Sequence, residues 1–441
     1  MFSHRFCPIR LHGALLWLFC ALLVPCGLAD EAVTNDTPAI EQDVDVEALP
    51  VHEAELDLAM PEIELFTEAL LHVRKHYVNE KTYQEIVSGA LHGMLGQLDA
   101  HSSFLEPRDY EDMQADTSGK FSGIGIHIGI RGGNPIVIAP IEGTPAFRAG
   151  LQSGDRILKI NGETITDLSL RDSVNRLRGE TGTEVILTIQ GHGDDEPREV
   201  PIIRESIIVP SVKGASLVRD NIGYVRVTQF SAPTDRLLKE AIAALMEQGM
   251  DALVLDLRGN PGGLLKSAVK VSSMFLPMGE VIVTTKGRPD VYGDRSNHSS
   301  GPLHLTEFPM AILVNGGSAS ASEIVAGALQ DHGRAVLVGS TTFGKASVQS
   351  VIPLGKDKDE ALRLTIARYY TPSGKEIHDV GIEPDISVHV KPSDWKRVQI
   401  RRSHLETPLL FEDDVKNKYK DAEDHVLNRA LDLLLAVKIF K

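Results

Sequence analysis

Residues 315–349 read NGGSASASEIVAGALQDHGRAVLVGSTTFGKASVQ. The stretch opens where an apolar run, Ala311–Asn315, gives way to glycine and serine. It passes through a helical segment, Ala321–Asp331, into a second apolar run, Ala335–Val338. Strand, helix and strand at this spacing predict a parallel βαβ unit. The same grammar occurs upstream. Ala252–Leu257 is apolar except for Asp256, and a helix begins at Leu264 after Arg258-Gly259-Asn260-Pro261-Gly262-Gly263. Residues 210–390 are therefore expected to form an α/β core. Loops that follow parallel strands gather at one sheet edge, where the sites of open α/β sheets lie. Here those loops carry bare glycine N–H groups, the hydroxyls of Ser318 and Ser320, and the amine of Lys345. If those strands are neighbours, about 4.8 Å apart, one serine and one lysine can come within hydrogen-bond reach.

Working toward the N-terminus, residues 119–204 change to β-rich sequence with tight turns. Phe121-Ser122-Gly123-Ile124-Gly125-Ile126 opens this region, and AGLQSGDRILKING follows at 149–162. A helical stretch, Ser169–Arg178, precedes a strand at Glu184–Gln190. Glycines at 123 and 125 let consecutive N–H groups converge on a terminal carboxylate, and the adjoining strand can accept an extended peptide as an added strand. These two runs with the intervening helix resemble a PDZ domain.

The flanks are plainer. Residues 63–116 are expected to be helical, with Leu65, Ala69, His72/Val73 and Tyr77 on one stripe and Ile86, Ala90, Met94 and Leu98 repeating it. Asp413–Phe440, within the extension 391–441, again has helical periodicity. From Asp30 to Glu62 acids abound without Lys or Arg and with Pro38, Pro50 and Pro61, which predicts a solvated linker. Residues 1–29 combine Arg5 and Arg10, the apolar run Gly13–Val24 and the small-residue pattern Gly27-Leu28-Ala29, as secretory signals do. The apolar run is too short to span about 30 Å of hydrocarbon. Once the signal is cleaved, no membrane span is expected. Cys7, Cys20 and Cys26 all fall in that segment, so the exported chain would hold no disulfide, thiol nucleophile or thiolate metal site. Export without disulfides fits a bacterial periplasm or cell envelope.

Composition narrows the classes further. The 441 residues hold 45 Lys+Arg against 61 Asp+Glu, a net charge of −16, and 42% are hydrophobic. That length and apolar content suit several domains with real cores. The acidic balance argues against nucleic acid, which needs a surplus of Lys and Arg.

With the loops in hand, the 315–349 run closely resembles the tail-specific, or carboxy-terminal processing, peptidases, which are serine peptidases with a lysine base. The resemblance covers 63–390 in the family's order of helical segment, PDZ domain and catalytic core, and it implies a crotonase/ClpP-like core. It also implies Ser320 as nucleophile, Lys345 as general base, Gln349 as the amide that orients the lysine, and the N–H groups of Gly263 and Ala321 as oxyanion hole. In the PDZ domain it points to Ser122, Gly123, Ile124, Gly125 and Ile126 around the carboxylate, with an apolar pocket from Ile124 and Ile126. Arg178 falls where relatives carry a substrate-sensing arginine. Protein substrates held by their C-termini are the expected partners. A second copy or an adaptor would dock on the helical ends, as in relatives, and neither cofactor nor metal is expected.

The residue types suit that chemistry. A lysine of ordinary pKa, about 10.4, is charged and useless as a base, and burial away from acids can bring it toward neutrality. Phe343–Val348 contains no acid, and Gln349 can bind a neutral amine without restoring a counter-charge. Three other readings compete. Ser320-x-x-Glu323 is a capping box, so the serine could simply cap a helix. Gly339–Lys345 fits GxxxxGK, but Ala346 stands where a P-loop needs a hydroxyl, and strand rather than helix follows. GNPGG echoes the GDSGG of chymotrypsin-like proteases, with Pro261 where the nucleophile would be. The alternative in another class is a PDZ peptide-binding scaffold whose peptidase core is inactive.

Overall fold

The computed structural model describes residues 53–440, apart from 132–133, 142, 153, 166–169, 192–195, 303–304 and 407–417. The expected signal and the linker up to residue 52 lie outside the described residues.

Six strands form the central sheet, in the order Val212–Leu217, Ile222–Val227, Ala252–Asp256, Met310–Val314, Val336–Gly339 and Ile386–Ser387. All pair in parallel except the first, which is antiparallel to its neighbour. The three strands singled out from the sequence are consecutive neighbours, and Leu255↔Ile312 and Ile312↔Leu337 fix their register. Period-two alternation divides each strand between two faces. Leu253, Leu255 and Ile312 face helices Thr234–Glu247, Leu265–Ser273 and Ala321–Asp331. On the opposite face, Ala252, Val254, Ala311 and Leu313 meet Val426, Ala430, Leu431 and Leu434. These last residues belong to the C-terminal helix His425–Phe440, so the extension supplies the second covering layer. Burying its large side chains contributes about 1.5–3 kcal/mol each.

A second sheet sits beside the first. Its long strand Glu360–Tyr370 pairs with Val281–Gly287, with Ser347–Leu354 and with the short strand Ser103–Leu105. Lys345 lies at the mouth of this sheet, just before Ser347–Leu354 begins. The β-rich domain has its own five-stranded run, Ile126–Arg131, Asn134–Pro140, Arg156–Ile160, Glu184–Gln190 and Arg198–Ile203, around a separate core of Val137, Ile157, Leu187 and Ile189. Strands Lys120–Gly123 and Glu205–Ile208 pair where the chain enters and leaves it.

The N-terminal helices are α1, Glu53–His76; α2, Tyr83–Gly96; and α3, Pro107–Ser118. The linker reading needs correction here. Residues 53–62 belong to α1, and Pro61 lies inside the helix. Acidic composition did not forbid a helix, and an exposed backbone group freed by proline can be met by water. The apolar stripe is real but not buried: Leu65 is 68% and Tyr77 56% exposed.

Candidate active site

Ser320 stands between the Met310–Val314 strand and helix Ala321–Asp331, at φ 54°, ψ −114°. A non-glycine residue there is strained by about 1–3 kcal/mol, and the geometry lifts its hydroxyl to the sheet rim. The strain is held by packing and hydrogen bonds around it. Ser318 Oγ donates to Leu257 O at 2.8 Å, and Ser322 Oγ donates to Asn260 O at 2.9 Å. These flanking hydroxyls are thus used to bind the serine turn to the glycine loop. Asn260, fully buried, donates to Val227 O and accepts from Gly262 N at 2.9 Å.

The glycine loop touches the serine. A Cβ on Gly262, φ 106°, would lie 2.8 Å from the Ser320 Cβ and 3.0 Å from Ala321 N. One on Gly263, φ 140°, would meet Phe230 O at 2.2 Å. Only glycine lets backbone approach this closely. Among the described residues, neither the Gly263 nor the Ala321 N–H donates to a protein acceptor. Two donors beside one hydroxyl can receive a carbonyl oxygen as it gains charge.

Glu323 joins the serine and lysine loops. Its carboxylate is fully buried. One oxygen accepts from Ser320 N at 2.8 Å and Lys345 N at 2.9 Å. The other accepts from Thr342 Oγ1 at 2.6 Å and Gly344 N at 2.7 Å. The capping box was visible in the sequence, but the grip on the lysine loop was not. The Tyr369 hydroxyl, also buried, donates to Lys345 O and lies against the Ser320 side chain.

Ser320, Ala321, Gly263, Lys345 and Gln349 line one cavity of about 450 Å³. The Lys345 ammonium makes no ion pair among the described residues. Burial chiefly lowers its pKa, and the Arg363 guanidinium adds to the effect. The sequence neighbourhood held no acid, yet in space Asp99 faces the lysine and pulls the other way. Met113, Asp116 and Thr117 of α3 also wall the cavity, so the N-terminal segment reaches the site.

Below the glycine loop, Asp256 and Arg258 form a buried ion pair at 2.7 Å, joined by Asp424 and Arg402. The Tyr224 hydroxyl donates to Asp256 at 2.7 Å. Burial works to raise the Asp256 pKa, but the two guanidiniums outweigh it and hold the carboxylate ionised.

In the β-rich domain, Gly125 has φ 78° and its carbonyl accepts from Thr144 Oγ1 at 2.9 Å. Ser122 Oγ shares a hydrogen bond with Thr181 Oγ1 at 2.8 Å. Ile124 is 2% exposed and packs in the domain core; Ile126 packs on that core half-buried. Arg178 is not a free surface arginine. It pairs with Asp112 on α3 and lies over the Phe121 ring at 5.7 Å.

A serine on a strained turn, two donors beside it and a lysine across the cavity suit a serine-type peptidase site. The comparisons agree. A family model described as peptidase family S41 matches residues 221–388, and a PDZ-domain model matches 136–191. The carboxy-terminal-processing protease of Bartonella bacilliformis is 45% identical over 320 residues, covering 72% of each chain. That of a Synechocystis species is 38% identical over 315 residues, covering 69% of this chain and 70% of the relative. Among solved structures, a photosystem II D1 C-terminal processing protease is 30% identical, covers 79% of this chain and 99% of its own, and has a TM-score of 0.43. The chain belongs to peptidase family S41, among its PDZ-containing carboxy-terminal processing proteases.

Proposed function

We propose that this protein is an exported endopeptidase that captures protein C-termini with its PDZ domain and cleaves near them. The N–H groups around Gly123–Ile126 would hold the terminal carboxylate, and the strand after them would take the tail as an added strand. The chain would then pass to the cavity beside Ser320. Lys345, uncharged, takes the Ser320 proton as the oxygen attacks the scissile carbonyl. The Gly263 and Ala321 N–H groups stabilise the oxyanion. Lys345 returns the proton to the leaving amine, and water then resolves the acyl-enzyme by the same relay. Gln349 orients the amine.

One observation carries this reading: the Glu323 carboxylate that accepts from Ser320 N also accepts from Lys345 N, with both residues on one cavity. The test is incubation of the purified protein with a denatured substrate beside its Ser320→Ala and Lys345→Ala variants. The wild type should degrade the substrate and both variants should leave it intact. Equal survival in all three would favour a peptide-binding scaffold.

The Arg178–Asp112 pair supports a link between the two domains, because α3 carries Asp112 together with the cavity residues Met113, Asp116 and Thr117, and Asp116 one turn on feels both charges of the pair. On this reading a bound tail draws Arg178 from Asp112 and shifts α3. Export rests on the leader-like residues 1–29. Among the described residues no helix is long and apolar enough to cross a membrane. N-terminal sequencing of protein from fractionated cells tests it: the chain should begin after Ala29 in the envelope fraction, and an intact Met1 in the cytosol would contradict it.

A further inference from the structure

After α2 the chain turns through Asp99–Ser102 into strand Ser103–Leu105, which pairs with Glu360–Tyr370 in the register Ser103↔Arg363. On the other side of that long strand, Gln349 is the register partner of Thr365. One residue of the second sheet thus stands between the N-terminal segment and the amide beside the lysine.

The hydrogen bonds across it have a direction. Asp99 accepts from His101 N at 2.7 Å, from Ser102 N at 2.8 Å and from Ser102 Oγ at 3.0 Å. The Thr365 hydroxyl also reaches this carboxylate. Burial works to raise the Asp99 pKa, but these donors outweigh it and keep the group ionised. An ionised carboxylate only accepts, so the Ser102 hydroxyl hydrogen is turned toward it rather than toward Thr365 Oγ1, which stands 3.5 Å from Ser102 Oγ. The Ser102 oxygen left behind then accepts, and Thr365 Oγ1 is an acceptor as well. Ser102 Oγ takes the Thr365 N–H at 3.1 Å, and Thr365 Oγ1 takes a Gln349 Nε2 hydrogen at 3.4 Å. The second Nε2 hydrogen goes to Ser347 Oγ at 2.8 Å. With both amide hydrogens placed, Oε1 is the end of Gln349 left to accept an N–H from Lys345.

We propose that Asp99, Ser102 and Thr365 form a polarity relay of positioning residues that fixes which end of the Gln349 amide faces Lys345. The proposal rests on the Ser320–Lys345–Gln349 reading above. It gives the Asp99–Ser102 turn a part in catalysis without contact with substrate. Reversed, the amide would present N–H to an N–H donor, and the lysine would lose its guide.

The charged and titratable groups facing Lys345 include Arg363 and Tyr369 from the long strand, Asp99 and His101 from the turn, Asp116 from α3, and Glu323 from the serine helix. Replacing Asp99 would therefore change both the relay and the local charge. Thr365→Val alters no charge and keeps the side-chain shape, so it is the discriminating variant.

The experiment measures kcat, KM, the pH profile and Tm for wild type, Thr365→Val and Thr365→Ser, with Ser320→Ala and Lys345→Ala alongside. Thr365→Val should lower kcat about ten-fold, roughly the worth of one oriented hydrogen bond, with KM and Tm near wild type. Thr365→Ser should restore kcat. The acid limb of the profile should keep its midpoint, since no charge has moved. A Thr365→Val enzyme with wild-type kcat, or one whose loss follows a fallen Tm and is not rescued by serine, overturns the relay. If Lys345→Ala is inactive in that same experiment, only the relay fails; an active Lys345→Ala enzyme overturns the Ser–Lys reading beneath it as well.

Discussion

At the rim of the core sheet, the buried side chains that hold the serine turn in place are committed to protein partners; along α1, the apolar side chains face water. Glu323 accepts four hydrogen bonds and Asp256 holds two arginines, all in buried surroundings. By contrast Leu58, Leu65 and Leu71 are more than half exposed. The difference teaches that a site is rigid where unmet polarity would be costly. A helix can be announced by its periodicity without its packing partner being named.

Breaking the rim should have the largest effects. Asp256→Asn leaves Arg402 without its counter-charge and Arg258 with Asp424 alone, and should cost about 3–5 kcal/mol, read by denaturant unfolding. Retained stability would mean that solvent or another acid meets those guanidiniums. Next is Glu323→Gln, which points an amide donor at N–H groups that need an acceptor. Stability should fall by about 1–3 kcal/mol, and kcat about ten- to a hundred-fold as the serine and lysine loops separate. Loss of stability alone would reduce Glu323 to a helix cap.

Arg178→Ala sharpens the comparison between rim and peptide domain. Its ion pair with Asp112 is partly exposed, so about 0–1 kcal/mol of stability is at stake. The expected change is weaker stimulation by C-terminal peptides, measured as fold activation with the unstimulated rate held. Undiminished stimulation would leave the pair merely structural. The smallest effect belongs to α1: Leu65→Ser should shift the unfolding free energy of the isolated chain by no more than about 0.5 kcal/mol. A larger loss would show that the stripe is covered in solution.

These contrasts also mark what could be read from residues alone. The βαβ core, with Ser320 and Lys345 on adjoining loops, was legible because apolar runs, helix spacing and glycine loops are local signals. That the three strands are neighbours was a condition of the reading, and the sheet meets it. Less legible was anything that joins distant segments. Glu323 finds Thr342 and Gly344 across a crossover, while Thr365 meets Ser102 from 263 positions away. Charge run and proline content pointed to a linker where α1 already begins at Glu53. The burial of Ile124 in the domain core was likewise not legible from the glycine run. The C-terminal helix was visible by periodicity, yet its place against Val254 and Leu313 depends on the sheet's second face.

On the proposed mechanism, a buried amine that deprotonates readily makes the serine reactive. The most direct measurement is the rate of acyl-enzyme formation at Ser320 against pH, wild type beside Lys345→Ala. Because the folded lysine titrates below its ordinary 10.5, the rate should climb as pH rises through that lowered midpoint, level off above it, and vanish in the variant. A variant that acylates at the wild-type rate would contradict the account.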